Sequence, residues 1–360
     1  MTWPSIVQSV PTNMAHHAER RPFPPSEYKT PAVKQRNLAV QLLRIPRAHP
    51  PLLIAFLRQR QHLLAMFPKA LLLALVGAIT AVTAAPAFSD LGLMQFALTL
   101  EHLESSFFSG GLSKYSTRDF TRAGYPAWVR GRFQQIADNE ATHVAYLQQE
   151  LGSNAPAKCT YDFPYHDVKS FINLAQKIES ISAGTYLGLA RHINDTGILN
   201  AGASIAATEA RQAGWITSTV LKDQPWDGAF ETPIPPSAAW SLIRNYISSC
   251  PDSNPDLPLV NLPSLKVSDT TPTPGETVTL TVSLDKSKNK KTSSLYAAWL
   301  DGLNYIYTDI NNDKTTVPHG LSGTVFLGIV SSKDHPDRDN FVTGFTVVQF
   351  PFDSSARHEV

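Results

Sequence analysis

The chain has 360 residues, with 31 Lys and Arg against 30 Asp and Glu and a formal charge of +1. That length allows about two domains, and so even a balance of charge leaves no electrostatic footprint for nucleic acid as a partner. Charged residues make up only 17% and prolines number 27, which suits a secreted chain with a β-rich part better than a cytosolic helical one.

Residues 1–65 are polar and Pro-rich at first and carry Arg20, Arg21, Lys29, Lys34, Arg36, Arg44 and Arg47 against few acids. They read as a disordered upstream extension, not required in the mature product. Residues 66–85, MFPKALLLALVGAITAVTAA, combine a start methionine, Lys69, an apolar run and small residues before Pro86. That is the pattern of a secretory signal peptide, so the expected location is secreted, extracellular or at the cell wall. The alternative is a signal-anchored membrane protein, because apolar residues 52–57 lie upstream, although Arg58, Arg60 and His62 interrupt them.

A helical domain is expected over residues 86–250. In residues 91–108, LGLMQFALTLEHLESSFF, the apolar arc holds Leu93, Phe96, Ala97, Leu100, Leu103, Phe107 and Phe108. At about 100° per residue, Glu101 and Glu104 lie inside that arc, and Gln95, Thr99, His102 and Ser106 lie opposite, toward solvent. Residues 109–127 read as a long connection. Residues 136–151, IADNEATHVAYLQQEL, form the second helix, with Val129, Phe133, Ile136, Val144, Leu147 and Leu151 on one stripe. Glu140 and His143 share that stripe. A carboxylate and an imidazole then point into the core, where an unpaired charge is expensive. A metal relieves this with the fewest assumptions, since Glu-x-x-His on one helix face is a ligand unit of di-iron carboxylate bundles.

Residues 152–168, with Pro156 and Pro164, cross to a third helix at 171–193, where Glu179 sits at the edge of a stripe made by Phe171, Ala175, Ile178, Tyr186 and Leu189. In the fourth, residues 198–220, Ile205, Glu209, Gln212, Ile216 and Val220 align. A fifth helix is expected near residues 237–249. The order is therefore Glu, Glu-x-x-His, Glu, Glu-x-x-Gln on four helices. The opposing reading is a vestigial site, its carboxylates paired with each other, Arg211 or Tyr186.

The only cysteines are Cys159 and Cys250; past a signal peptide, an even count reads as a disulfide. Asn194-Asp195-Thr196 is a glycosylation sequon at Asn194. Residues 251–263, PDSNPDLPLVNLP, read as a stiff Pro-rich linker. After it the period changes to two: residues 277–284, TVTLTVSL, alternate strictly, and further strands are expected at 295–300, 304–310, 323–330 and 343–350. Several short strands within residues 264–352 suggest a small immunoglobulin-like β-sandwich, serving as a spacer or as a packing partner for the bundle. The basic run at residues 286–291, KSKNKK, offers possible contact with a cell-wall polymer, and residues 353–360 read as a flexible tail.

The segments FALTLEHLESSFF, FQQIADNEATHVAYL, KIESISAGTYLGLA, ATEARQAGW and SCPDSNPDLP, in that order over residues 88–258, resemble the ferritin-like superfamily. More closely, they resemble the secreted desiccation-related and stress-responsive proteins of fungi and plants. The resemblance implies a ferritin-like four-helix bundle with an added helix. It also implies a site for two iron or manganese ions with Glu101, Glu104, Glu140, His143, Glu179, Glu209 and Gln212 as ligands. The superfamily has His where this chain has Gln212, and an amide oxygen is the weaker ligand, which weighs against tight or symmetric binding. Two functions follow: a secreted metalloprotein that handles metal or peroxide, with Glu140 and Glu209 as bridges, or a non-catalytic extracellular stress protein.

Overall fold

The computed structural model describes residues 88–282, 295–334 and 340–355. The upstream extension, the signal-peptide segment 66–85, the basic run 286–291 and the last five residues lie outside them.

Four helices form the bundle: α1 (Asp90–Lys114), α3 (Ala127–Leu151), α4 (Val168–Ala190) and α5 (Thr196–Trp215), with a short α2 (Thr117–Arg122) between the first two. Their starts follow from capping, which satisfies backbone N–H groups that have no helical acceptor. Ser89 Oγ accepts from Gly92 N at 3.1 Å, Asp167 and Ser170 form a capping box at α4, and Asp195 accepts from Gly197 and Ile198 at α5. The α1–α3 and α4–α5 pairs pack most closely, and α1 meets α4 between them. A segment containing the helical turn Gly152–Asn154 crosses from α3 to α4, as a bundle with parallel neighbours requires.

α1 runs on to Lys114, into the start of the stretch read as a long connection. The pair Gly110-Gly111 does not end it, because Gly111 is there for packing: a Cβ would lie 2.2 Å from the Phe171 ring. The fifth helix, α6 (Pro236–Ile243), stops earlier than expected. The chain then forms β2 (Ile247–Ser249), which pairs with β1 (Thr160–Tyr161). This ribbon sets Cys159 beside Cys250, and the two are joined in a disulfide. α5 continues past Trp215 as a wider π-helical turn, Ile216–Leu221.

The C-terminal part is antiparallel β. One sheet orders β3 (Leu265–Val267), β4 (Thr277–Val282) and β7 (Lys314–Thr316). The other orders β6 (Asn304–Asp309), β5 (Tyr296–Asp301), β8 (Gly323–Val330) and β9 (Thr346–Phe350). β3 and β7 have three residues each, too few to show a period. Val278 and Leu280 of the first sheet share a core with Trp299, Val325, Leu327 and Ile329 of the second. β8 is buried along its whole length, because its opposite face, with Phe326 and Val330, joins the apolar core of the bundle. A strand covered on both faces reads as a continuous apolar run.

Residues 251–263 lie along the helices, with Leu262 buried and Leu257, Leu259 and Val260 packed on the bundle core. Residues 222–235 bridge the two parts. At one end Ile234 N donates to Gly184 O at 2.8 Å, and a Cβ on Gly188 would sit 1.8 Å from Ile234 O. At the other, Asp227 Oδ1 accepts from Thr324 N at 2.7 Å. Gly188→Ala should therefore cost about 2–3 kcal/mol by forcing backbone apart. Gly202→Ala on α5, where the nearest atom to a Cβ is 3.8 Å away, should instead stabilise by about 0.5–1 kcal/mol. Urea unfolding of the two variants checks the contrast.

Candidate metal centre

Helical spacing explains why one core collects so many polar groups. Residues three apart lie one above the other on a helix face, so α1 presents Glu101 and Glu104, α3 presents Glu140 and His143, and α5 presents Glu209 and Gln212. α4 adds Glu179. All five carboxylates are fully buried, at 0% exposure, and Gln212 at 7%; the His143 side chain is 14% exposed. His143 Nδ1 lies 3.3 Å from Glu101 Oε2, 3.1 Å from Glu140 Oε2 and 3.1 Å from Glu209 Oε1. Two groups have ligand-type atoms within 4.8 Å of one another: Glu101, Glu140, His143 and Glu209, and Glu104, Glu179 and Glu209. Glu209 is common to both, whereas Glu140 belongs to the first alone. The geometry thus singles out Glu209 as the shared carboxylate.

The electrostatics of this cluster are unbalanced. Among the described residues no Lys or Arg forms an ion pair with any of the five; His143 alone does. Both oxygens of Glu179 and of Glu209, one oxygen each of Glu101, Glu104 and Glu140, and both amide atoms of Gln212 lack a hydrogen-bond partner. One Nδ1–H cannot serve three carboxylates at once. Burial, reinforced by neighbouring carboxylates, pushes Glu104 and Glu179 well above the usual carboxylate range, and burial lifts Glu140 to about 7 against the pull of His143. Burial lowers the His143 pKa, but the carboxylates of Glu101, Glu140 and Glu209 beside it outweigh this and the imidazole is raised on balance.

A divalent ion fits this arrangement. Its ligands must be deprotonated carboxylates and a neutral imidazole, the donor types present. Adjacent ligands around an octahedral ion with bonds of about 2.1 Å stand about 3 Å apart, close to the separations found around His143 Nδ1. Gln212, one turn beyond Glu209, adds a buried, unpartnered amide oxygen.

Around the carboxylates, Tyr186 OH donates to Glu101 Oε1 at 2.5 Å and Ser182 Oγ donates to Glu104 Oε2 at 3.1 Å. Ser182 escaped the sequence reading; its only signal is that it lies on the Glu179–Tyr186 stripe of α4. Arg211 is exposed and pairs with none of the carboxylates. His102, expected in solvent, is 5% exposed, with Nε2 3.3 Å from Pro156 O. The crossover covers the α1 face that periodicity assigns to water, and Gln95 and Thr99 are buried with it. Asn194 is exposed, although its Nδ2 donates to Asp90 Oδ1 at 3.3 Å.

Comparison with known proteins agrees with this geometry. Residues 89–222 match the ferritin-like domain family. The chain carries a ferritin-like domain. A curated relative, Protein rds1 of Schizosaccharomyces pombe, is 34% identical over 181 residues, which cover 49% of this chain and 44% of that protein. The chain thus spans less than half the length of that relative. The matched segment contains every member of the buried cluster.

The raised groups fix the sign of a pH dependence. A carboxyl with a raised folded pKa holds its proton longer when folded, so stability falls as pH climbs from the unfolded value toward the folded one. For Glu140 that window runs from 4.5 to about 7. His143, also raised, adds a fall in the same direction above its unfolded value of 6.5. Metal-free protein should therefore melt at lower temperature as pH rises from 5 to 8. Excess divalent metal should reverse the slope, because ion binding strengthens as the ligands lose protons. Thermal melts with and without chelator test both signs.

Proposed function

We propose that the ferritin-like domain holds two iron or manganese ions. Glu101, Glu140 and His143 would serve one, Glu104 and Glu179 the other, with Glu209 between them. The observation that carries this reading is the orphaned donor set: buried carboxylate oxygens around one imidazole, with no Lys or Arg to balance them. Two redox-active ions side by side would supply paired one-electron steps, the chemistry by which dioxygen or peroxide accepts two electrons from ferrous iron. The chain's part is to hold the ligands deprotonated, exclude bulk water and keep the two positions unequal, since only one has a nitrogen donor. The resemblance to desiccation-related and stress-responsive proteins supports a role in stress, and the disulfide suits an oxidising, extracellular setting. We read the two-sheet part as an immunoglobulin-like packing partner of the bundle. The run 286–291 remains a candidate contact for cell-wall polymer, and Asn194 a candidate glycosylation site.

A second reading, a non-catalytic extracellular protein with a vestigial site, is favoured by Gln212, whose amide is a weaker ligand than the imidazole of the superfamily.

Metal analysis of protein expressed with supplemental iron and manganese separates the two. The first reading expects up to two ions per chain, tighter binding in Gln212→His, and loss of metal with lower stability in Glu140→Gln. Metal content near zero, with Glu140→Gln as stable as wild type or more so, would leave the vestigial reading. A further expectation is that the secreted chain begins near Pro86. N-terminal sequencing of protein from culture medium checks this, and residues 1–65 on that protein would refute it.

A further inference from the structure

Buried hydroxyls on these helices have a default partner, the carbonyl four residues back. Thr99 Oγ1 donates to Gln95 O at 2.8 Å, Thr185 Oγ1 to Ile181 O at 2.6 Å and Thr217 Oγ1 to Ala213 O at 2.9 Å. Ser182 and Tyr186 depart from it. They follow Glu179 along one face of α4 and donate across to α1, Ser182 to Glu104 Oε2 and Tyr186 to Glu101 Oε1. Each hydroxyl engages one oxygen of its carboxylate. The other oxygens, Glu104 Oε1 and Glu101 Oε2, are buried without a hydrogen-bond donor. Glu101 Oε2 is the oxygen that lies 3.3 Å from His143 Nδ1.

A free carboxylate can offer an ion one oxygen or both. Hydrogen bonding to one oxygen occupies it and fixes the rotation of the group, as partners behind metal ligands do. We propose that Tyr186 and Ser182 are positioning residues that hold Glu101 and Glu104 as single-oxygen ligands. Each acts on a different ion position: Tyr186 on the one containing His143, Ser182 on the one containing Glu179. The proposal rests on the two-ion reading above. It adds that the coordination mode at each position is set by one hydroxyl from α4.

Co(II) titration of the full-length, chelator-stripped protein, followed by visible absorption, tests this. Wild type should bind two ions in distinguishable steps. Tyr186→Phe removes only a hydroxyl and frees the second oxygen of Glu101. The Co(II) bound with the nitrogen ligand should then gain coordination, lose absorption intensity and bind about 10–100-fold more weakly, while the other step keeps its wild-type spectrum and affinity. Ser182→Ala should show the converse. Either variant alone decides the matter, so one that fails to fold leaves the other standing. Wild-type steps unchanged in the variants, or both steps altered equally in each, would overturn the positioning role. Failure of wild type to bind any Co(II) would instead overturn the two-ion reading.

Discussion

Five carboxylates are fully buried inside a helical bundle beside one imidazole, with no lysine or arginine among the described residues paired to them, and much of the molecule is arranged around that concentration of charge. Isolated ionised carboxylates cost several kcal/mol each to bury. Without an ion, the bundle can keep them only by holding protons, which is why Glu104, Glu140 and Glu179 are all raised. A divalent ion would instead take the same groups as deprotonated ligands, so that protons and metal would compete for one cluster.

The buried cluster was legible because helix periodicity is strict. Glu101, Glu104, Glu140, Glu179 and Glu209 each interrupt or edge an apolar stripe, and a side chain on that stripe has nowhere to go but inward. The same logic misplaced His102, because periodicity describes one helix and not what covers its far side. α1 lies at the middle of the domain, and both of its faces are buried. The role of Gly111 was equally hidden: a glycine pair in sequence suggests a turn, whereas here it admits the Phe171 ring. The end of α6 was set by pairing between β1 and β2, a long-range contact that local propensity cannot report. Strict alternation found β4, and flanking turn signals marked out β5, β6, β8 and β9, but β3 and β7 were too short to leave a pattern.

The β part contributes to the centre through α4. That helix carries Glu179, Ser182 and Tyr186 on its inner face, so its position decides where three groups of the cluster stand. Its outer side is held at two places. Residues 222–235 press against Gly184 and Gly188, and Gln176 Nε2 donates to Thr324 Oγ1 of β8 at 3.3 Å. Asp227, which reaches the start of β8, is itself raised to about 8, first by burial and then by Glu231. Because α4 packs between the other bundle helices and the sheet, a change that loosens the β part moves members of the cluster as well as strands.

Covering α1 and α4 so thoroughly leaves the other two helices to face water. α3 and α5 are exposed along most of their outer faces. The members of the cluster with any exposed surface, His143 and Gln212, are one on each of them. The crossover and the β part cover the far side, so what little of the cluster is exposed lies on the α3 and α5 side. There this chain has an unpartnered amide, where the resemblance to the superfamily leads one to expect a second imidazole. Gln212 thus stands at the edge of the cluster that is not fully buried, where an exchange of side chain alters the polar surface facing solvent.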